Sequence, residues 1–546
     1  MSPSPTPSPS AVGDGSAGMT SGAGGGRLLA ASVLGAVAVW FVLGLQRALI
    51  NKDGVLYVEA ARAVGRGDLG QAFDIFPWPF MAIPMAGIAA VLGVSHETAG
   101  HLLNLAAWVV AVVTLLRILA RLGGSSMVLA YGAVLLLLHP QSLDTLSGIL
   151  RGPGYAAFAL LGILLFMRFR DSGRWWEAAG ALACLVAATL FRVEGVVLIA
   201  SLPLVLALDR WLPLRQRLGR AGLLVALPAA VLLAAGAVSL LGPGEGAGEV
   251  TSRAVERFER EIRGVQAWAE ELPAKADGLA DAVLDHYSRH HAVGATLAAL
   301  SYVLAWETIR GVNLLYLVLA VWPLPDRRRP PRPEHRWMIG ALAGVQVLML
   351  AAFVLKEGYL SPRYTIGLAL LVMMRAAFVL AAEHEAWRAA KAEGRPRWQF
   401  PAVLVLLAVI GFDGLISTGV PDHQERDAGA WVQAELPEES VFFQSVRTRY
   451  YAGRPWERSA AWSNAQVLAM IRDGRMNAHA YAVIDVRPGD DAWRARLDEQ
   501  PTLELVEAFT NRKGGAALVF RVVDPEAEAD ADSDADAAAG QPSPGA

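Results

Sequence analysis

Long apolar segments alternate with short polar linkers along most of the chain. The first covers residues 28–50 behind Arg27. Its length of about 20 residues exceeds the apolar core of a secretory signal, so we interpret it as an uncleaved membrane anchor. Ten further segments are long enough, or nearly so, to cross about 30 Å of hydrocarbon. They cover residues 102–119, 127–139, 153–169, 177–192, 193–208, 221–241, 308–322, 337–355, 364–382 and 401–417. The pattern predicts an all-α polytopic membrane protein with about eleven transmembrane helices.

Arginine and lysine are concentrated in alternate linkers, which tests this division of the chain. The basic linkers cover residues 117–121, 168–174, 210–220, 327–336 and 388–397. All five fall on one side if the anchor enters from the cytoplasm, as the excess of positive charge in cytoplasmic loops requires. The sequence therefore predicts a multi-pass protein of the cytoplasmic (inner) membrane with a cytoplasmic N-terminus. An odd number of spans places everything after Ser417 outside the cytoplasm.

The remaining connections face outward in the same register, and they hold most of the polar residues of interest. A loop over residues 49–100 carries Asp53, and its apolar segment 80–92 is short and contains proline, which suits a helix lying at the interface. An outer insert over residues 242–307 shows two amphipathic helical patterns, at 255–268 and 276–290. We expect these two helices to pack over the outer mouth of the bundle.

The two ends of the chain differ from the apolar middle, which we assign to residues 27–417. Residues 1–26 are mostly Ser, Pro and Gly and should be disordered, and the acidic tail 524–546 should be disordered as well. Residues 421–523 have the pattern of a small soluble α/β domain. We predict helices at 425–436 and 464–471, and strands at 441–443, 480–486, 503–509 and 516–522.

Composition supports the membrane class and excludes some functions. The mean hydropathy is +0.37, with 54% hydrophobic and 18% charged residues. The net charge of −3 provides no basic field for nucleic acid, so no nucleic-acid partner is expected. The single cysteine, Cys184, lies in an apolar segment, so neither a disulfide framework nor a cysteine metal site is expected.

Asp53 is the first candidate for chemistry, because it follows the first membrane segment directly. A carboxylate at a bilayer surface suits a lipid-linked substrate whose head group reacts in water. A carboxylate in such a place can stabilise a developing positive charge and take the proton of an attacking hydroxyl.

A departing lipid phosphate needs cations, and the forked donors of arginine suit its oxygens. Lys356 and Arg363 share one outer loop and are the best candidates, followed by Arg151 and Arg192. The sequence contains neither a nucleotide-binding loop nor a Gly-x-Gly-x-x-Gly fingerprint, which favours a lipid-linked donor over a nucleotide sugar.

Several motifs in this order resemble the GT-C superfamily of membrane glycosyltransferases. They are Lys52-Asp-Gly-Val-Leu-Tyr57 with Ala60-Ala61, Gly67-Asp68, Pro77-x-Pro79, Arg192-Val-Glu-Gly195 and Ser361-Pro-Arg-Tyr364. The nearest group is the bacterial enzymes related to protein O-mannosyltransferases and to lipid A aminoarabinose transferase. The resemblance covers residues 28–417.

The resemblance implies a transferase that takes a hexose or pentose from a polyprenyl-phosphate carrier and passes it to a glycan, lipid or protein acceptor. The family's catalytic aspartate in the first outer loop maps onto Asp53. Many members carry a second acidic residue beside it, where this chain has Gly54, so Glu59 or Asp68 is open as an assistant. The resemblance implies no metal and no other cofactor.

Each candidate also has a purely structural interpretation. Asp53 is a favoured N-cap residue for a helix beginning at Gly54. Tyr57, one turn further, is a candidate for binding or for packing. Arg192 and Glu194 lie between apolar segments and can form a structural salt bridge instead of binding substrate.

The outer loop after residue 355 has the same ambiguity. Lys356 and Arg363, next to Tyr364, and also Arg151, can anchor the chain at the interface. His286 and His290 have the spacing of a metal pair on a helix, but no carboxylate motif accompanies them, so a solvated helix face is favoured.

Two other function classes stay open from the sequence. One is a transporter or flippase for a polar lipid, although no internal repeat supports it. The other is a non-catalytic envelope assembly protein on the same scaffold, for which the missing second acidic residue at Gly54 is the main support.

Overall fold

A computed structural model of the chain describes residues 23–47, 49–240, 245–323, 332–416, 423–457 and 462–523. Its contacts divide the chain into two compact units. The helical unit comprises Met1–Gln46 and Ile83–Ser417, and the α/β unit comprises Arg47–Ala82 and Thr418–Ala546. The predicted tail 524–546 and residues 1–22 of the predicted N-terminal tail lie outside the described residues.

Helices make up most of the described chain. In chain order they are α1 (Ala23–Leu45), α2 (Lys52–Gly65), α3 (Leu69–Ile75), α4 (Ala82–Leu92), α5 (His96–Arg121), α6 (Ser126–Leu137), α7 (Pro140–Ser147), α8 (Gly152–Ser172), α9 (Trp175–Phe191), α10 (Gly195–Ala207), α11 (Leu214–Leu240), α12 (Glu245–Val283), α13 (Ala292–Val312), α14 (Leu314–Val321), α15 (Pro333–Glu357), α16 (Ile366–Ala392), α17 (Gln399–Leu415), α18 (His423–Glu435), α19 (Val446–Tyr451), α20 (Asn464–Arg472) and α21 (Asp491–Asp498). Short 3₁₀ turns occur at Pro79–Met81, His286–His291, Pro362–Thr365 and Arg475–Ala478.

Six helical segments among the described residues are long and apolar enough to cross a membrane. They are Gly24–Leu45, His96–Arg121, Gly152–Ser172, His286–Val312, Pro333–Glu357 and Pro362–Ala392. Helices α6 and α7 add a seventh if this pair, bent by 53°, forms one span. The prediction of a polytopic, largely helical protein with a small α/β domain is confirmed.

The count of about eleven spans is higher than these six or seven, mainly because the sequence criterion accepted short segments. The predicted spans 177–192, 193–208 and 401–417 form α9, α10 and α17, with 17, 13 and 17 residues. An α-helix rises about 1.5 Å per residue, so these helices are shorter than the hydrocarbon layer. The side chains of α11, which covers the predicted span 221–241, are described only in part.

The predicted outer insert 242–307 and the span 308–322 are divided differently in the structure. One helix, α12, replaces the two predicted helices and continues through Pro273. The apolar helix α13 begins inside the predicted insert and ends at Val312. Asn313 then adopts φ = +74°, and its side-chain oxygen accepts a hydrogen bond from the Leu315 amide. Asn313 is thus the N-cap of the next helix, α14. Side-chain capping lets asparagine adopt this left-handed geometry, which apolar periodicity does not reveal.

Ion pairs join several helix ends at one end of the helical unit. Asp171 of α8 accepts hydrogen bonds from Arg121 of α5 at 2.6 Å and from Arg170 at 2.9 Å. His335 of α15 lies 3.3 Å from the Asp171 carboxylate, and Arg170 donates to Asp209, after α10, at 2.8 Å. These residues lie in or next to basic linkers that the sequence predicted to share one side, and the structure brings them together.

The α/β unit contains a four-stranded sheet with the order β1-β2-β4-β3. The strands are β1 (Val441–Phe443), β2 (Tyr481–Val486), β3 (Leu503–Thr510) and β4 (Ala516–Val522). Strand β1 is parallel to β2, and β4 is antiparallel to both β2 and β3. Alternate residues face opposite layers: Ile484 packs with Trp493 of α21, and Val483 packs with Val432 of α18. Helices therefore cover both faces of the sheet. The sequence predicted the helices at 425–436 and 464–471 but missed α19 and α21.

The first outer loop is divided between the two units. The sequence assigned residues 49–100 to the transmembrane domain, but Arg47–Ala82 belong to the α/β unit. The α/β unit is therefore discontinuous in sequence. Helix α1 begins at Ala23, inside the predicted tail 1–26, because the helix extends beyond the apolar segment by about one turn.

Candidate active site

Asp53 lies in the first turn of α2. The helix begins at Lys52, and the N-cap residue is Asn51, whose backbone is extended. Asp53 is partly exposed. A carboxylate in the first turn is favoured by the helix dipole. The N-cap interpretation of Asp53 is therefore wrong, and capping does not explain the presence of this carboxylate.

The neighbouring Gly54 is in a crowded position. A Cβ atom built there would lie 2.6 Å from Oδ1 of Asn51 and 3.0 Å from Cγ1 of Ile50. A second acidic side chain at this position would require Asn51 to move. The departure from the family pattern thus has a local steric basis.

The two possible assistants of Asp53 already have structural partners. Glu59 is buried and forms an ion pair with Arg62, one turn further along α2. Asp68 is the N-cap of α3 and accepts a hydrogen bond from the Gln71 amide at 2.8 Å. Burial raises the pKa of Glu59, while Arg62 and Arg66 act to lower it.

Tyr57 is four residues after Asp53 and therefore on a similar face of α2. Its side chain is only 3% exposed, and its ring meets Phe76 edge to face with 5.0 Å between ring centroids. Phe76 comes directly before the Pro77-x-Pro79 segment. Tyr57 thus joins α2 to this segment, which supports its interpretation as a packing residue.

In the helical unit, Arg192 is the centre of a second group of candidate residues. Its side chain is buried at the end of α9. Its Nη2 donates to Oε1 of Glu194 at 2.8 Å, and its Nη1 donates to the carbonyl oxygen of Arg363 at 2.9 Å. The guanidinium also lies 4.6 Å from the ring centroid of Tyr364 and 5.9 Å from that of Tyr155. Arg192 therefore links the end of α9 to the backbone at Arg363. The predicted salt bridge with Glu194 is present.

Arg363 lies in the Pro362–Thr365 turn, which is fixed from several sides. Besides the bond from Arg192, the Thr365 hydroxyl donates to the Pro362 carbonyl at 2.8 Å. Gly311 of α13 lies against the turn, since a Cβ there would be 2.7 Å from the Pro362 oxygen. The Arg363 side chain is partly exposed, with its guanidinium 5.7 Å from the Tyr364 ring centroid. A rigid backbone thus presents a partly exposed guanidinium.

Other charges surround this turn. Arg151, next to the first turn of α8, acts electrostatically on Glu194. The charge of Arg363 acts on Asp144 of α7 and on Tyr359. The structure therefore brings Arg151, Arg192, Glu194 and Arg363 into one electrostatic group.

Lys356 has different surroundings at the end of α15. Its Nζ lies 2.9 Å from Oε1 of Glu357, and its aliphatic chain lies against Gly264 of α12. Lys275 donates to its carbonyl oxygen at 3.3 Å. The carboxylate of Glu357 offsets part of its charge.

Sequence reasoning missed the residues that support this group. Tyr155 of α8 is 2% exposed and lines one small cavity together with the buried Gln346 of α15. Gly154 lies against the ring of Phe191, so the Gly152-Pro-Gly154 segment allows close packing of α8 on α9. A Gly-Pro-Gly sequence directly after Arg151 was the signal that a tight contact begins here.

The histidines singled out for metal spacing lie in a 3₁₀ turn, His286–His291. His286 pairs with Asp285 at 2.7 Å, and its ring lies on Tyr287. Within the described ranges, no group of three His, Cys, Asp or Glu side chains has the geometry of a metal site.

No family model and no curated protein matches this sequence. Among solved structures, the chain is similar to an oligosaccharyltransferase of Archaeoglobus fulgidus tethered to an acceptor peptide, with a TM-score of 0.46 and 12% identity over 92% of this chain and 74% of that one. It is also similar to ArnT of Cupriavidus metallidurans bound to undecaprenyl phosphate, with a TM-score of 0.46 and 13% identity over 91% of this chain and 98% of that one. Both TM-scores are below 0.5, so residue roles in this chain rest on its own sequence and geometry.

Proposed function

We propose that this chain is a GT-C-like membrane glycosyltransferase that transfers a sugar from a polyprenyl-phosphate-linked donor to an acceptor at the outer face of the cytoplasmic membrane. The observation that carries the proposal is the position of Asp53. It lies in the first turn of α2, eight residues after the membrane helix α1 ends at Leu45, and it does not act as the helix cap. The order of the sequence motifs that resemble the superfamily supports the same function.

The proposed step balances without a cofactor. An acceptor hydroxyl attacks the anomeric carbon of the donor sugar, and the bond from that carbon to the phosphate oxygen breaks. The electron pair of this bond leaves with the polyprenyl phosphate. Asp53 takes the proton of the hydroxyl, and its negative charge stabilises the positive charge that develops on the sugar. The acceptor is a glycan, a lipid or a protein.

The leaving phosphate is assigned to the cationic side chains of the helical unit. Arg363 is the principal candidate, because its backbone is fixed while its guanidinium is partly exposed. Arg151 and Lys356 are further candidates for this charge. Arg192 and Glu194 are positioning residues, since Arg192 donates hydrogen bonds to the Arg363 carbonyl oxygen and to Glu194. The ring of Tyr364 lies near both the Arg192 and the Arg363 guanidinium groups.

The test compares Asp53→Asn with the parent in cells that lack the chromosomal copy of the chain. Polyprenyl-phosphate-linked sugars and envelope glycans are measured by mass spectrometry. We expect Asp53→Asn to reduce transfer by about 10²–10⁴-fold, because it removes the base and keeps the shape. A lipid-linked sugar should accumulate while one glycan loses a residue.

Asp68→Asn is the matched control. Asparagine is as good an N-cap as aspartate, so α3 and sugar transfer should be retained. Parental transfer by Asp53→Asn would remove Asp53 from the mechanism. Unchanged lipid and glycan pools in cells without the chain would favour a transporter or an assembly protein.

A further inference from the structure

Helix α2, which carries Asp53, packs on α19 of the α/β unit. Just before α2, the Ile50 amide donates a hydrogen bond to the hydroxyl of Tyr451 at 2.9 Å. At the other end of α2, the Arg62 guanidinium lies 5.3 Å from the ring centroid of Tyr450. A cavity of only about 10 Å³, at the lower limit for one water molecule, remains between the two helices near Val55. The two helices are therefore closely packed at this contact.

The supporting helix α19 is itself held firmly on the sheet. Its Ser445 N-cap accepts from the Arg447 amide at 3.3 Å. Arg447 also donates through Nη2 to Oε1 of Glu425 in α18 at 2.8 Å, and both side chains are largely buried. A Cβ on Gly429 of α18 would lie 2.6 Å from the Thr448 carbonyl oxygen, so the backbones of α18 and α19 approach closely. This fixes α19 and, with it, Tyr451.

Charges extend the same contact to the first residue of α2. Asp485 of β2 lies within electrostatic range of Glu425, Arg447 and Lys52. Lys52 directly precedes Asp53. The start of α2 thus lies near β2 as well as near α19, and the hydrogen bond at Ile50 is only three residues from the proposed base.

We propose that the carboxy-terminal α/β domain positions the proposed base, and that Tyr451 is the positioning residue that fixes the start of α2 through the Ile50 amide. The inference rests on the proposed role of Asp53. A misplacement of a reacting group by about 1 Å can reduce a rate by about 10²-fold. A domain that follows the last membrane helix in sequence thereby acts on the first outer loop.

The test uses Tyr451→Phe in the full-length protein in nanodiscs, because this change removes one hydroxyl and keeps the ring. Hydrogen exchange of the peptide 47–56 is measured by mass spectrometry, and sugar transfer is measured with the polyprenyl-linked sugar fraction extracted from cells that lack the chain. We expect faster exchange in this peptide, and a kcat lower by about 10-fold with little change in the KM for the acceptor. Tyr481→Phe in β2 is the matched control and should leave both quantities at the parental value.

The two readouts separate this inference from the proposed function. Faster exchange together with a lower kcat supports the positioning role. Unchanged exchange overturns it, whatever the rate, and so does faster exchange with an unchanged rate. Asp53→Asn is assayed in parallel, and if it transfers sugar normally, the proposed base is wrong while the exchange result still reports on the contact.

A second variant keeps the test valid if Tyr451→Phe fails to fold. Tyr450→Leu removes the ring under Arg62 and keeps an apolar side chain. It should change exchange and kcat in the same direction as Tyr451→Phe. Parental exchange and rate in this variant would also overturn the inference.

Discussion

Asp485 shows how burial changes the behaviour of one residue. Its Oδ1 is buried and accepts no hydrogen bond from the described residues. Burial, and then the negative charge of Glu425, raise the pKa of Asp485 to about 7, while Lys52 and Arg447 act to lower it. The folded chain therefore keeps a proton that the unfolded chain loses near pH 4.

The pH dependence of stability follows from this difference. Between about pH 4 and pH 7 the native state binds more protons than the unfolded state, so Asp485 lowers stability as the pH rises through this range. We expect Asp485→Asn to flatten this dependence, because asparagine does not titrate. The melting temperature of the α/β unit, measured at several values between pH 5 and pH 8, tests this expectation. Asp473→Asn, at an exposed position, is the control. The same slope in Asp485→Asn and the parent would contradict the assignment.

Glu194 allows a second test at the scale of one residue. Its carboxylate forms an ion pair with the buried Arg192 guanidinium, with side-chain exposures of 16% for Glu194 and 8% for Arg192. Removing one member of a buried pair leaves the other charge uncompensated, which costs about 3–5 kcal/mol. We therefore expect Glu194→Gln to lower the melting temperature strongly, and to reduce sugar transfer by loosening the Arg363 turn.

The matched control is Asp281→Asn, which breaks an exposed ion pair with Arg289. Both side chains of that pair are more than half exposed, at 67% and 57%. Solvent-exposed pairs contribute at most about 1 kcal/mol, so the melting temperature should change little. Equal changes of the melting temperature in the two variants would show that the Arg192–Glu194 pair does not stabilise the folded chain.

At the scale of elements, the contact of α13 with the Arg363 turn depends on one glycine. Replacing Gly311 with alanine would place a Cβ 2.7 Å from the Pro362 carbonyl oxygen. Overpacking of this kind costs about 1–3 kcal/mol, and here it would displace the turn. We expect Gly311→Ala to lower both stability and transfer, as measured by thermal shift and by the accumulation of lipid-linked sugar.

Gly294, in the same helix, provides the control. A Cβ there has no neighbouring atom within 4 Å. Alanine in place of glycine in a helix interior stabilises by roughly 0.5–1 kcal/mol, so Gly294→Ala should raise stability slightly and leave transfer unchanged. A loss of transfer in Gly294→Ala equal to that in Gly311→Ala would assign the effect to α13 in general instead of to the turn.

Elements were predictable where a long pattern defined them. Apolar length predicted α5, α8 and α15 within a few residues, and β-rich composition predicted β1 and β4 with their observed bounds. The break at Asn313 was missed, because hydropathy averaged over an apolar segment does not report the backbone conformation of one residue. The short helices α19 and α21 were missed because six and eight residues show too little periodicity.

The candidate residues were predictable from motifs, but their contacts were not. Arg192 and Arg363 are 171 residues apart, and the bond between them uses a backbone carbonyl, which no motif encodes. The hydrogen bond between Ile50 and Tyr451 joins residues that are 401 positions apart in the sequence. Long-range packing decides such contacts, and a single sequence does not show it.

At the scale of the whole molecule, the positions of basic linkers predict which side each loop faces. The test starts from a chain in which the single cysteine, Cys184, is replaced by alanine. Lys513→Cys places a thiol at an exposed position between β3 and β4, and Lys391→Cys places one at an exposed position near the end of α16. A membrane-impermeant maleimide is then applied to intact cells.

We expect Lys513→Cys to react in intact cells and Lys391→Cys to react only after permeabilisation, because residue 391 lies in a basic linker. Since α2 belongs to the same compact unit as β3 and β4, reaction at residue 513 also reports the side of Asp53. Reaction of both variants in intact cells would contradict the linker assignment. Reaction of Lys391→Cys alone in intact cells would place Asp53 on the cytoplasmic side. Nucleotide sugars are available on that side, so the argument for a lipid-linked donor would lose its basis.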